Sequence, residues 1–168
     1  MWGHGLPLAR AAAYTNRPSP RYRPMLTKSI AIAADHAGLP LKTELVHELD
    51  RRGFRVIDLG TAREASVDYP DYAEALAHCI ESGKVDRGVL ICGSGIGMSI
   101  AANRHREVRA ALCRDTESAR LARQHNDANV LVLGGRVTPI DQAKACLEAF
   151  LDTPFEGGRH ARRVAKLA

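Results

Sequence analysis

The chain has 168 residues, 45% hydrophobic and 26% charged, and its 24 Lys and Arg against 19 Asp and Glu give a net charge of +5. That length and balance imply one globular domain with a substantial core and exclude a disordered chain, and no apolar run approaches the roughly 20 residues of a membrane-spanning helix. The excess charge is local: residues 1–24 hold Arg10, Arg17, Arg21 and Arg23 and no acid, so subtracting four from +5 leaves +1 for the rest, which carries no basic stripe with interleaved aromatics and speaks against a nucleic-acid partner.

Residues 1–24 are expected to form a flexible N-terminal extension, given Gly3, Gly5, Pro7, Pro18, Pro20 and Pro24. It is too weakly apolar for a secretory signal, and an Arg-containing, acid-free leader fits either organelle targeting or an upstream start. The folded domain is expected over 25–168. A buried strand is predicted over 29–34, then a helix in which Leu41, Leu45, Val46 and Leu49 recur at helical spacing between Pro40 and Gly53. A second strand over 54–59 and a helix over 71–82, with Ala73, Leu76, Ala77 and Ile80 inward, lead to a third strand over 88–92. The alternation continues with a small-residue helix over 96–103, a strand over 108–113, a helix over 116–124, a strand over 129–133 and a helix over 139–151. A basic tail, helical from about Arg159, ends the chain. Five βα units predict an α/β fold: a three-layer, Rossmann-like, doubly wound five-stranded parallel sheet.

Ligands of such sheets bind beyond the carboxyl ends of the strands. Asp35 and His36 follow the first strand, Cys92 and Ser94 the third, Arg114 and Asp115 the fourth, and Gly134, Gly135 and Arg136 the fifth. His125 and Asn126 end a helix and so belong near the opposite rim. Cys79, Cys92, Cys113 and Cys146 form no CxxC pair and are too sparse for a disulfide framework, which points to a reducing cytosol. A lone cysteine after a strand is most often a small buried hydrophobe, and that reading suits Cys79, Cys113 and Cys146. Cys92 differs because it opens a glycine-rich turn whose backbone N–H groups could hold an anion or a thiolate.

Five segments occur in order: Ala34-Asp35-His36-Ala37-Gly38, Asp68-Tyr69-Pro70, Cys92-Gly93-Ser94-Gly95-Ile96-Gly97, Arg123-Gln124-His125-Asn126-Asp127 and Gly157-Gly158-Arg159-His160. Together, over about residues 28–168, they resemble the ribose/galactose/allose phosphate isomerase family, and within it the type B ribose-5-phosphate isomerases. The resemblance implies a cytoplasmic aldose-ketose isomerase that needs neither cofactor nor metal. Its reaction would be the interconversion of D-ribose 5-phosphate and D-ribulose 5-phosphate through a cis-enediol(ate), in the non-oxidative pentose phosphate pathway.

It further implies Cys92 as the base, with Met98 standing where other members carry a glutamate, and His125 as the proton donor that opens the sugar ring. Ser94, with the amides of Gly93, Gly95, Ile96 and Gly97, would stabilise the enediolate. Asp35, His36 and Asn126 would contact the sugar, and Arg136, Arg159 and Arg163 the phosphate, the last two sharing a helical face at i, i+4. His125 on the far rim implies a homodimer, or a dimer of dimers, with sites shared between subunits.

Isomerisation of erythrulose 4-phosphate, allose 6-phosphate or galactose 6-phosphate is the main alternative, because the enediol chemistry is common to all. A nucleotide-binding oxidoreductase is more remote: Met98 occupies the third-glycine position of GxGxxG, and the turn follows the third strand instead of the first. A non-catalytic sugar-phosphate-binding module is a further alternative, set against the full complement of Cys92, Ser94, His125 and arginines.

Overall fold

A computed structural model describes residues 28–167; the expected extension over 1–24 lies outside the described residues. Five strands and six helices alternate: β1 (Ser29–Ala34), α1 (Leu39–Arg51), β2 (Arg55–Asp58), α2 (Tyr69–Glu81), β3 (Gly88–Cys92), α3 (Ile96–Ala102), β4 (Ala110–Leu112), α4 (Thr116–Asn126), β5 (Val130–Gly134), α5 (Ile140–Asp152) and α6 (Arg159–Val164). All pairings are parallel and the strand order is β2-β1-β3-β5-β4. The α/β, doubly wound architecture expected from the sequence is the one observed.

Burial along the strands explains that order. β3 and β5 are buried at every residue and β1 at all but its first, as central strands covered on both faces must be. β2 and β4 are only partly covered and have four and three residues, which suits edges. Successive side chains of each strand face opposite layers. Ile30, Ile32, Val89, Ile91, Leu131 and Leu133 pack against α1, α4 and α5. Ala31, Ala33, Leu90, Val130 and Val132 pack against α2 and α3.

Element boundaries differ from expectation by a few residues. The fourth strand is shorter than 108–113 because Asn103 bridges both backbone groups of Ala110 and Asn129 takes the Arg109 amide, so side chains do the pairing there. The second helix begins two residues early, at Tyr69, since Pro70 lies in its first turn, where a missing N–H costs nothing. Cys79 is buried beside Leu76, and Ile80 is partly buried against the same layer.

Candidate active site

The chain runs from β1 outward to β2 and then crosses to β3 on the other side, so the topological switch point lies between β1 and β3. A crevice beyond the strand ends is expected there. The loops that meet at it are Asp35–Gly38, Cys92–Gly97 and Gly134–Val137. The Gly135 N–H donates to the Cys92 carbonyl at 2.7 Å, the Arg136 N–H to the Gly93 carbonyl at 3.0 Å, and the Asp35 N–H to the Ile91 carbonyl at 3.2 Å.

Close approach of these loops depends on glycine. A Cβ on Gly135 would fall 2.7 Å from the Ala37 carbonyl oxygen, and neither backbone can give way independently. Gly135→Ala is therefore expected to cost about 1–3 kcal/mol by overpacking and to lower activity. Gly53→Ala, at φ +78 with open space around it, should cost about 1–2 kcal/mol with activity kept. Thermal denaturation and turnover of the two variants, measured side by side, check this contrast.

Cys92 ends β3 and is 4% exposed, within the apolar layer under α2 and α3. Gly93 beside it is half-buried and Ser94 is exposed. Gly95 sits at φ +80, a left-handed conformation that reverses the chain into α3. The Ser94 hydroxyl accepts from the Ile96 N–H at 3.3 Å. The Arg136 side chain lies over Gly93, and its Cδ would be 3.5 Å from a Cβ there.

One oxygen of the Asp35 carboxylate, Oδ1, accepts from the Gly38 N–H at 3.0 Å. His36 Nδ1 accepts from the Val67 N–H at 3.3 Å. A neutral His36 therefore carries its proton on Nε2. In the core, burial pushes the Cys113 thiol up to about 12 and raises that of Cys146 as well. All four cysteines are free and buried.

The remaining predicted residues assemble elsewhere. α4 ends four residues before β5 starts, so His125 and Asn126 lie at the amino rim of the sheet, about a strand length, ~16 Å, from the Cys92 turn. α6 packs on that helix end, bringing Arg159 and Arg163 to the same rim, where both are exposed. The His125 and His160 rings stack in parallel, 4.3 Å apart. Burial lowers the His160 pKa, and the charges of His125, Arg159 and Arg163 lower it further against the opposing pull of Glu156.

The predicted site thus divides into two sets. Asp35, His36, Cys92–Gly97 and Arg136 converge on the carboxyl rim; His125, Asn126, Arg159 and Arg163 share the amino rim. Arg114 and Asp115 also leave their strand on the carboxyl rim, but from edge strand β4, on the far side of β5 from β1. The Asp115 side chain instead caps α4 by accepting from the Ser118 N–H at 2.7 Å. A cavity of about 570 Å³ on the amino rim includes Arg87, Arg109 and Arg123. Those arginines are already committed, Arg87 to the Leu151 carbonyl and the other two to Asp127, so the cavity offers little to an anion.

Three contributors were not assigned from sequence. The Tyr69 ring covers Gly97, since a Cβ there would come 2.5 Å from its Cζ; the Asp68-Tyr69-Pro70 segment was the available signal. Lys42, buried on the apolar face of α1, donates to both Asp58 oxygens at 2.8 and 2.6 Å. The pair fixes the 58–61 loop beside the end of β1, and the signal was a lysine in line with Leu45 and Leu49. Arg123 is 5% exposed and donates to Asp127 Oδ1 at 2.8 Å and to the Ala128 carbonyl at 2.6 Å. It thereby locks the turn that follows His125 and Asn126.

Comparison with known proteins agrees with this fold. The model of the Ribose/Galactose Isomerase family matches residues 30–167. Ribose-5-phosphate isomerase B of Escherichia coli is 49% identical over 137 residues, covering 82% of this chain and 92% of its own. D-erythrulose-4-phosphate isomerase of Pectobacterium atrosepticum is 46% identical over 140 residues, covering 83% and 92%. The crystal structure of a ribose 5-phosphate isomerase from Thermotoga maritima superposes with a TM-score of 0.81 at 52% identity, covering 83% of this chain and 96% of that one. A glycine turn at the switch point, the same fold and near-half identity along the whole described domain lead to one assignment: this chain belongs to the ribose/galactose isomerase family.

Proposed function

We propose that the protein is an aldose-ketose isomerase of phosphorylated sugars, with D-ribose 5-phosphate and D-ribulose 5-phosphate as its substrate pair. The observation that carries the reading is Cys92 at the end of β3, beneath a glycine turn at the switch point of the sheet.

The Cys92 thiolate takes the proton from C2 of the open-chain aldose as the C1 carbonyl becomes the enediolate oxygen. The thiol then returns the proton to C1 while the proton on O2 passes to O1, so that O1 becomes a hydroxyl and the C2 carbonyl forms. The Ser94 hydroxyl and the turn amides stabilise the oxygen that bears the developing charge. Asp35 keeps one carboxylate oxygen on Gly38 and has the other for a sugar hydroxyl. His36 presents Nε2–H. Arg136, against Gly93, supplies positive charge at the same rim.

Ring opening and the rest of the phosphate clamp come from a second copy of the chain. His125 as the acid, with Asn126, Arg159 and Arg163, forms one set on the amino rim, and a homodimer that apposes this rim to the partner's Cys92 turn completes both sites. Support comes from exposed Ile96 and Ile100 on α3 and Val137 after β5, which leave apolar surface around the Cys92 turn. A reducing cytoplasm is the compartment that fits four free cysteines, and among the described residues no helix is long and apolar enough to cross a membrane.

Sugar length is tested by comparing kcat/KM for ribose 5-phosphate, erythrulose 4-phosphate and allose 6-phosphate. Ribose 5-phosphate is expected to be preferred. A higher value for the four-carbon sugar would assign the chain to the activity named for the Pectobacterium relative instead.

A further inference from the structure

Ring opening needs one imidazole on the amino rim, yet the fold holds two there in face-to-face contact. Gly157 and Gly158, at φ +65 and +53, turn the chain after α5 back on itself, and the first turn of α6 comes to rest on the end of α4. The Glu156 N–H fixes the approach by donating to the Gln124 carbonyl at 3.1 Å, next to His125. The His125 and His160 rings then lie 4.3 Å apart and parallel to within 5°. They differ in access to solvent, the His125 side chain being 38% exposed and that of His160 8%. His160 is the buried floor on which the exposed ring rests.

The surroundings decide which ring carries a proton to donate. Arg159 Nε donates toward His160 Nε2 at 3.4 Å. A guanidinium offers no lone pair in return, so that nitrogen is an acceptor and the neutral ring keeps its proton on Nδ1. Burial, with the charges of His125, Arg159 and Arg163, opposes a second proton on His160, against the pull of Glu156. Glu156 Oε2 stands 3.9 Å from His125 Nε2 and 3.7 Å from His160 Nε2, too far for hydrogen bonds but near enough to favour one cation in the pair. Two stacked imidazoliums would repel, whereas the face of a neutral ring attracts a cation laid over it. The extra proton therefore belongs to the exposed ring, His125. The bond to His160 uses only Nε of Arg159, which leaves the terminal nitrogens of that side chain for the phosphate.

We propose that His160 is a positioning residue for ring opening, its neutral ring being the face against which His125 is held while it protonates the sugar. The proposal rests on the reading of His125 as the ring-opening acid. In that step the bond between C1 and the ring oxygen breaks and the ring oxygen takes the His125 proton. The anomeric hydroxyl yields its own proton to water as the C1 carbonyl forms. His160 neither gives nor takes a proton, and its work is done through its flat face.

The test separates ring opening from isomerisation by placing every variant in a full-length Cys92→Ala chain. Opening and reclosing interconvert the α and β anomers of ribose 5-phosphate, so ring opening is read as anomer exchange by NMR of the sugar labelled at C1. Calorimetry of ribose 5-phosphate binding shows whether the site persists. Cys92→Ala alone is expected to accelerate exchange above the rate in buffer, and adding His125→Asn to remove about 10²- to 10⁴-fold of that acceleration. Adding His160→Leu, which fills the space without a flat face, should lower the acceleration by about 10²-fold, the cost of misplacing a reacting group by about 1 Å. His160→Phe, which restores the face without a nitrogen, should recover most of that loss, and both His160 variants should still bind the sugar. Undiminished exchange in His160→Leu, with His125→Asn impaired, would overturn the positioning role alone. Failure of His160→Phe to recover exchange would overturn the role of the face, and loss of sugar binding together with exchange in His160→Leu would make the residue merely structural. Undiminished exchange in His125→Asn, or a Cys92→Ala parent no faster than buffer, would remove His125 as the acid and the positioning role with it.

Discussion

Cys92→Ala is expected to lower kcat by about 10²- to 10⁴-fold, the range for removing a positioned acid or base, with KM little changed. At 1.36 kcal/mol per tenfold this is about 2.7–5.4 kcal/mol of transition-state stabilisation. The effect should fall on kcat because the thiol is buried at the strand end, whereas the proposed sugar and phosphate contacts are made by other residues. Cys146→Ala in the opposite layer gives the control: that thiol is also fully buried, and its loss should reduce stability while turnover per folded molecule remains. Steady-state kinetics and thermal denaturation of both variants distinguish the roles. Retention of near wild-type kcat by Cys92→Ala would remove the thiol from the mechanism.

Mixing inactive Cys92→Ala and His125→Ala homodimers should restore activity to about a quarter of the wild-type level. With random exchange, half of the dimers are hybrids, and each hybrid has one site with both groups intact and one with neither. The expectation follows from the division of the candidate residues between two rims of one subunit, roughly a strand length apart. Subunit exchange is verified by mass spectrometry of differentially tagged chains. Complete exchange without recovery would exclude a shared site and require Cys92 and His125 to act within one chain. Recovery would also make Arg159 and Arg163 contributors in trans, because α6 rests on α4 beside His125.

Much of this was legible in the sequence because apolar periodicity and strand-end position are local properties. The runs at β1, β3 and β5 announce central strands, and Asp35, Cys92 and Arg136 follow from being the residues that leave them. Lateral order was not legible: nothing within Ala110–Leu112 records that β5, encoded later, lies between it and β3. Arg114 and Asp115 do leave β4 on the carboxyl rim, and only the lateral order shows that they stand beyond β5 from β1. Lys42 and Arg123 escaped notice for a different reason. A charge in a helix reads as a solvent-facing residue, and only tertiary structure reveals the Asp58 and Asp127 partners that permit its burial. Tyr69 over Gly97 is likewise a contact between residues far apart in the chain.

The position of β5 also sets the order in which the carboxyl rim can be built. During synthesis β3 emerges with Cys92 at its tip and one edge unpaired, and β4 follows with no neighbour beside which to align, because each of them pairs with β5 on that side. Only when Val130–Gly134 inserts between them does the Cys92 carbonyl receive the Gly135 N–H and the Gly93 carbonyl the Arg136 N–H. Non-local parallel pairing of this kind is slow and leaves strand edges open to other chains. The nascent protein therefore carries Cys92 on an unfinished sheet edge, and the carboxyl rim becomes organised only at a late step of folding.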